Sequence, residues 1–366
     1  MKNISPTLKV TKSFLPTQEE YQQYLSQVWG TNWLTNDGEL LKSLKFRLEE
    51  FLGVQNLDLL NNGTIALQLA IKALQLDGEI ITTPFSYVAT TSSIVWENCK
   101  PIFCDIDKKT LNVDVEKIEQ RVTSKTTALL FTHVYGNPCN VEEIERIARK
   151  YDLKVIYDAA HCFGVKYKDK SLYNYGDIAT TSFHATKIFH TVEGGATITQ
   201  SNELSYRIKQ LRNFGHKGYE SFDGVGINGK QSEFHAAMGH CVLDHFHEIY
   251  EGRKVATLYY NDNLEWNYFR KPVLAKDTIQ NYSYYPIILS NENETLELKI
   301  VLEAEGIFPR RYFYPSLTSL PYVDYEQSCP ISDSISKRVL CLPLFHDINQ
   351  VELDRVIDVV NNYFKK

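Results

Sequence analysis

A lysine that follows a strand is most simply a solvated surface residue, but Lys187 has neighbours that suit it to another task. It is reached through Ser182-Phe183-His184-Ala185-Thr186 and followed by Glu193-Gly194-Gly195-Ala196. In that setting the amine can approach an aldehyde while the Ser182 hydroxyl reaches a phosphate on the same molecule. Asp158 stands in Asp158-Ala159-Ala160-His161, at the carboxyl end of an apolar run. A carboxylate emerging there needs a partner, because an unpaired buried charge is costly. A protonated ring nitrogen would serve; so would a structural salt bridge or a cap for the next helix. Asn62-Gly63-Thr64 precedes a helical pattern. Free N–H groups, a glycine permitting close approach and a hydroxyl suit a phosphate, though a plain helix cap explains the same residues. Tyr87, in TPFSYVAT, could stack on a flat heterocycle or pack in the core. Each feature has an ordinary explanation; the four in this order fit a phosphate-bearing heterocyclic aldehyde anchored by a lysine.

These side chains need a scaffold that gathers strand ends. Residues 64–75 place Leu67, Ile71 and Leu74 on one helical face, and residues 141–152 do the same with Ile144 and Ile147. Between such helices lie short apolar runs at residues 79–83, 127–136 and 154–160. A further pair of strands at 177–184 and 195–200 encloses Lys187. Strands alternating with helices imply crossover connections and a mainly parallel sheet, whose ligand sits beyond the carboxyl ends of its strands. Thr83, Asp105, His133, Tyr135, Asp158 and His161 fall at those ends. After about Cys241 the pattern turns to mixed helices and aromatic strands such as YSYYPIIL. The expectation is a large α/β domain with an N-terminal arm over residues 1–245, and a smaller α+β domain over 246–366.

Bulk properties exclude several classes. The 366 residues are too many for one ordinary core. A net charge of -6 argues against a general affinity for nucleic acid or an anionic membrane. No apolar run is long enough for a secretory signal or a membrane span. The seven cysteines are scattered and form no CxxC, so neither a disulfide framework nor a zinc site is indicated, and a reduced, cytoplasmic setting is expected. Residues 224–229 spell GxGxxG, but YESFDG precedes them instead of an apolar strand. A Rossmann oxidoreductase therefore lacks its fingerprint, and a loop leading to the helix from Ser232 explains the glycines better. A non-catalytic binding module of the same fold would have lost the lysine or gained an appended segment.

The sequence resembles the DegT/DnrJ/EryC1/StrS sugar aminotransferases. The resemblance is carried by WLTNDG, NNGTIALQLA, TTPFSYVAT, CDID with LNVD, HVYGNPCN, YDAAHCFG, SFHATKIFHTVEGGA, LRNFGHKG, GINGKQSEFHAAMG and CLPLF, in family order over nearly the whole chain. It implies pyridoxal 5'-phosphate (PLP) as cofactor and the fold type I, aspartate aminotransferase-like architecture. Lys187 would bond the cofactor aldehyde, Asp158 hold the pyridine nitrogen, His161 lie beside the ring and Tyr87 stack on it. Gly63, Thr64 and Ser182 would hold the phosphate, with Asn228 reaching the cofactor phosphate of a second subunit, so a homodimer with shared sites is implied. Relatives that are dehydratases carry histidine in place of the lysine; here the lysine is retained. The HATK and EGGA segments resemble members that transfer nitrogen from L-glutamate to C4 of dTDP-4-keto-6-deoxyglucose. Amination of a 3-keto isomer or of a UDP-linked 4-keto sugar are the alternatives. For the substrate, His184, Lys217, Arg310, Arg311 and Tyr312 are candidates, the basic ones for the diphosphate unless they are solvated surface charges.

Overall fold

The computed structural model describes residues 7–323 and 327–365. A seven-stranded sheet organises the larger part of the chain. Its spatial order is Leu57–Leu60, Gly195–Ile198, Ile178–Ser182, Lys154–Asp158, Thr126–Thr132, Glu79–Thr82 and Lys100–Phe103. Gly195–Ile198 runs antiparallel to both neighbours, and every other pairing is parallel. The central strands are buried on both faces, which is why they read as apolar runs without alternation.

The expected strands fall where the apolar runs stop. The run at 127–136 ends as a strand at Thr132 and continues as a tight turn, Val134–Gly136, in which Tyr135 has φ 56°. The helix expected at 64–75 spans Gly63–Ala73, and the one at 141–152 spans Val141–Tyr151. The strand Leu57–Leu60 was not expected: LDLL carries a charge at Asp58, buried beside Ser205, Lys45 and Lys209.

Two cores follow. One packs helices on the sheet through Leu44, Leu48, Phe131, Ile144 and Phe183. The other gathers Tyr285, Ile287, Leu298, Leu340 and Val356 from the antiparallel pair Tyr285–Ile288 and Val339–Leu342 and the helices over it. The long helix Phe246–Asn263 joins them, giving Phe246 and Ile249 to the first and Ala256 and Tyr260 to the second. The N-terminal arm is not confined to the large part: Leu8–Lys9 pairs in parallel with Ile307–Phe308, and Leu8 packs in the second core. The 224–229 glycines lie in a loop bridged to Asn213, ahead of the helix Glu233–Asp244. All seven cysteines are buried and unpaired.

Candidate functional site

A cavity of about 370 Å³ opens at the carboxyl ends of the parallel strands, between the two cores. Its floor is Asp158, the last residue of its strand and only 6% exposed. The Thr90 hydroxyl donates to Oδ2 at 2.6 Å and the Ala160 N–H to Oδ1 at 3.2 Å. Because the Thr90 proton is committed to the carboxylate, Ser86 must donate to Thr90 (2.7 Å) and Thr132 to Ser86 (2.8 Å). Burial still pushes the Asp158 carboxyl above its ordinary range, against these bonds and the nearby Lys187 charge. The floor is a carboxylate supplied with donors yet short of a cation.

Lys187 enters from the segment between the two antiparallel strands, its N–H held by the His184 carbonyl at 2.9 Å. Burial pushes its amine below the ordinary range, with Asp158 pulling the other way, so more of it is the nucleophilic free base. Ser182 ends the neighbouring strand and faces Gly63, the first residue of its helix. Asn62 Oδ1 accepts from the Ile65 N–H at 2.8 Å. The N–H groups of Gly63 and Thr64, at the head of the helix, have no intrahelical acceptor and are available to an anion.

Aromatic groups close the opposite side. The His161 ring lies parallel to Phe313 at 5.7 Å and edge-on to Tyr284 at 4.8 Å. Its Nδ1 accepts the Tyr135 N–H at 3.2 Å, and burial drives the imidazole well below its usual range. It is therefore neutral, with its proton on Nε2. At the mouth stand Tyr87, 61% exposed, Arg310, and His184 with Glu193, whose ring nitrogen and carboxylate are 3.6 Å apart.

The cavity thus brings together Gly63, Thr64, Tyr87, Asp158, His161, Ser182, His184, Lys187, Arg310 and Tyr312. Three expected residues lie elsewhere. Arg311 turns away: it pairs with Glu292 at 2.9 Å, donates to the Lys337 carbonyl and covers the Tyr314 ring, so its guanidinium is engaged outside the cavity. Lys217 sits in an exposed loop and pairs with Asp223 at 3.3 Å. Asn228 is exposed and bridged to Asn213, outside the cavity of its own chain. Thr90, Glu193, Tyr284 and Phe313 were missed. Only Thr90 carried a signal, a hydroxyl three residues beyond Tyr87 on the helix Val88–Trp96.

These residues fit pyridoxal phosphate. A buried carboxylate short of a cation faces a partly uncharged lysine, and a Cβ at Gly63 would fill the space beside the Ser182 hydroxyl at 3.3 Å. Asp158 would hold the ring nitrogen, Lys187 the aldehyde carbon, and Gly63, Thr64 and Ser182 the phosphate.

A model of the DegT/DnrJ/EryC1/StrS aminotransferase family matches residues 16–361. The chain is 41% identical over 357 residues to the dTDP-4-amino-4,6-dideoxy-D-glucose transaminase of Shigella dysenteriae, covering 96% of this chain and 97% of that one. To the Escherichia coli transaminase of the same name it is 39% identical over 363 residues, covering 94% and 95%. The crystal structure of DesI in the presence of its TDP-sugar product superposes with a TM-score of 0.93 at 29% identity, over 98% of this chain and 93% of that one.

Proposed function

The chain belongs to the DegT/DnrJ/EryC1/StrS aminotransferase family of PLP-dependent enzymes, and from that premise we propose the reaction it runs. It moves the amino group of L-glutamate to C4 of dTDP-4-keto-6-deoxy-D-glucose, giving dTDP-4-amino-4,6-dideoxy-D-glucose. The similarity to the Shigella dysenteriae transaminase over nearly the full length of both chains supports this reading best.

When bound, pyridoxal phosphate supplies an electrophilic carbon and a sink for electrons released at the substrate carbon. The protein supplies the rest. Asp158 stays anionic against a ring cation and so favours electron flow toward it. With the cofactor in place, the free-base Lys187 Nζ would take the proton from Cα of glutamate and pass it to the carbon on the other side of the transferred nitrogen; with the keto sugar the direction would reverse. Neutral His161 donates its Nε2–H into the cavity and takes up no proton itself. Arg310, which has no ion-pair partner among the described residues, receives a carboxylate or diphosphate at the mouth.

The working unit in this reading is a homodimer, with Asn228 reaching a partner's cavity. Support comes from the exposure of Asn228 together with Val225 (89%) and Tyr219 (99%) on one loop. No helix among the described residues is long and apolar enough to cross a membrane, and the buried, unpaired cysteines suit a reduced cytoplasmic setting.

A visible absorbance scan tests the cofactor role of Lys187. Purified protein is expected to be yellow, to bleach or shift on adding glutamate, and to lose the band in Lys187→Ala. A colourless protein that takes up no added PLP contradicts it.

A further inference from the structure

A half-buried phenol stands beside the reacting amine. Tyr284 lines the cavity, and its hydroxyl lies 3.5 Å from Lys187 Nζ. Among the described residues that amine is its only hydrogen-bonding partner. Burial raises the phenol far above its ordinary range, so it is a neutral O–H at any working pH.

The turn before Tyr284 is fixed from two sides. Asn281, itself buried, donates through Nδ2 to the carbonyls of His161 and Phe163, both at 2.9 Å. Its Oδ1 accepts from the N–H of Ser283 at 3.2 Å and from the hydroxyl at 2.7 Å. Arg253 is 3% exposed and has no carboxylate partner among the described residues; it donates to the carbonyls of Tyr282 (3.4 Å) and Ser283 (3.2 Å) and to the Thr11 hydroxyl (3.3 Å). The turn is therefore tied both to the loop carrying His161 and to the helix Phe246–Asn263. The Tyr284 ring consequently stands edge-on to His161 and, at 5.6 Å, to Tyr312. Phenylalanine would serve these ring contacts equally well, so they do not account for the hydroxyl. What the hydroxyl adds is a fixed point for an amine on a flexible four-carbon stem.

We propose that Tyr284 is a positioning residue, whose phenol oxygen accepts one N–H of the freed Lys187 amine and so turns the nitrogen lone pair toward the substrate carbon. The proposal rests on the aminotransferase reading. The proton balance is closed within the lysine. Nζ would take a proton from the substrate carbon, become an ammonium still anchored to the phenol, and return that proton to the carbon on the other side of the transferred nitrogen. Tyr284 neither gains nor loses one.

The test compares Tyr284→Phe with the parent, each as full-length protein stripped of cofactor and then remixed with pyridoxal phosphate. Capture of the cofactor, followed at its visible band, is expected to slow by about ten-fold to a hundred-fold, with the melting temperature of the cofactor-free protein unchanged. With L-glutamate deuterated at Cα, kcat is expected to fall by a similar factor, the KM for glutamate to stay, and the isotope effect to rise because the proton step has become slower. Equal capture rates and equal isotope effects overturn the proposal. A fall in kcat accompanied by a raised KM and a lowered melting temperature also overturns it, because that pattern marks a structural role. A parent that captures no cofactor overturns the aminotransferase reading and this proposal together, a pattern distinct from a normal parent with an unaltered variant.

Discussion

The α-carbon of Gly63 lies so close to Ser182 that a methyl group on it would come within 2.8 Å of the Ser182 Cβ and 3.2 Å of its α-carbon. One of those atoms is backbone in a buried sheet, so it cannot move aside cheaply. The helix start and the strand end are thus drawn together around the place where N–H groups and a hydroxyl converge. Gly63→Ala is expected to weaken cofactor binding by about ten-fold or more, as loss of one charge-assisted contact would. Absorbance titration of cofactor-free protein with PLP measures it; an unchanged Kd would place the phosphate elsewhere.

Asp158 should oppose the stability of the cofactor-free protein. Its carboxyl is raised in the fold above the ordinary 3.8. A group shifted in that direction favours folding fully below its unfolded value, and that benefit is lost as pH rises through the folded one. At neutral pH the buried charge is a net cost, which a neutral amide of the same shape would avoid: its oxygen can still accept from the Ala160 N–H and its nitrogen can donate to Thr90. Asp158→Asn is expected to raise the cofactor-free melting temperature by about 1–3 °C at pH 7 and to lower kcat by at least about a hundred-fold. A melting temperature that drops at pH 7 would show that the carboxylate is structural.

Neighbouring arginines should separate binding from folding. Arg310→Ala is expected to raise the KM of one substrate by about ten- to a hundred-fold with little change in melting temperature. Arg311→Ala, which removes the Glu292 pair and the cover over Tyr314, is expected to lower the melting temperature by about 2–4 °C and leave KM within two-fold. Steady-state kinetics and thermal melts of both variants check this.

The amine of Lys187 is held below its ordinary value of 10.5, by burial first, with Asp158, Tyr312, Tyr87 and Cys162 acting in the other direction. The free base is the reactive form, so the rate of PLP capture is expected to rise with pH and to level off below 10.5. Stopped-flow absorbance across pH 6–11 reads the midpoint. A midpoint at or above 10.5 would show an ordinary, solvated lysine.

Much of the site was legible in the sequence because single-residue needs are local. Asp158 ends an apolar strand, Lys187 follows the strand Ile178–Ser182, and Asn62-Gly63-Thr64 opens a strongly periodic helix. What was not legible depends on long-range packing. The strand Leu57–Leu60 hides behind Asp58, whose charge is met by Lys45 and Lys209 from other elements. Tyr284 comes to Lys187 from 97 residues away, through a turn fixed by Asn281 and Arg253. Arg310 and Arg311 are adjacent in sequence, yet one lines the cavity and the other pairs with Glu292, because successive residues of an extended segment point to opposite sides. The N-terminal strand joins the far core because its partner Ile307–Phe308 lies there.

The most direct test of the proposed reaction is to incubate the PLP-loaded enzyme with L-glutamate and dTDP-4-keto-6-deoxy-D-glucose and to locate the new C–N bond by NMR. The account expects nitrogen at C4, one 2-oxoglutarate per amino sugar, and no product from Lys187→Ala. Amination at C3 only, or product formed equally well without Lys187, would contradict it.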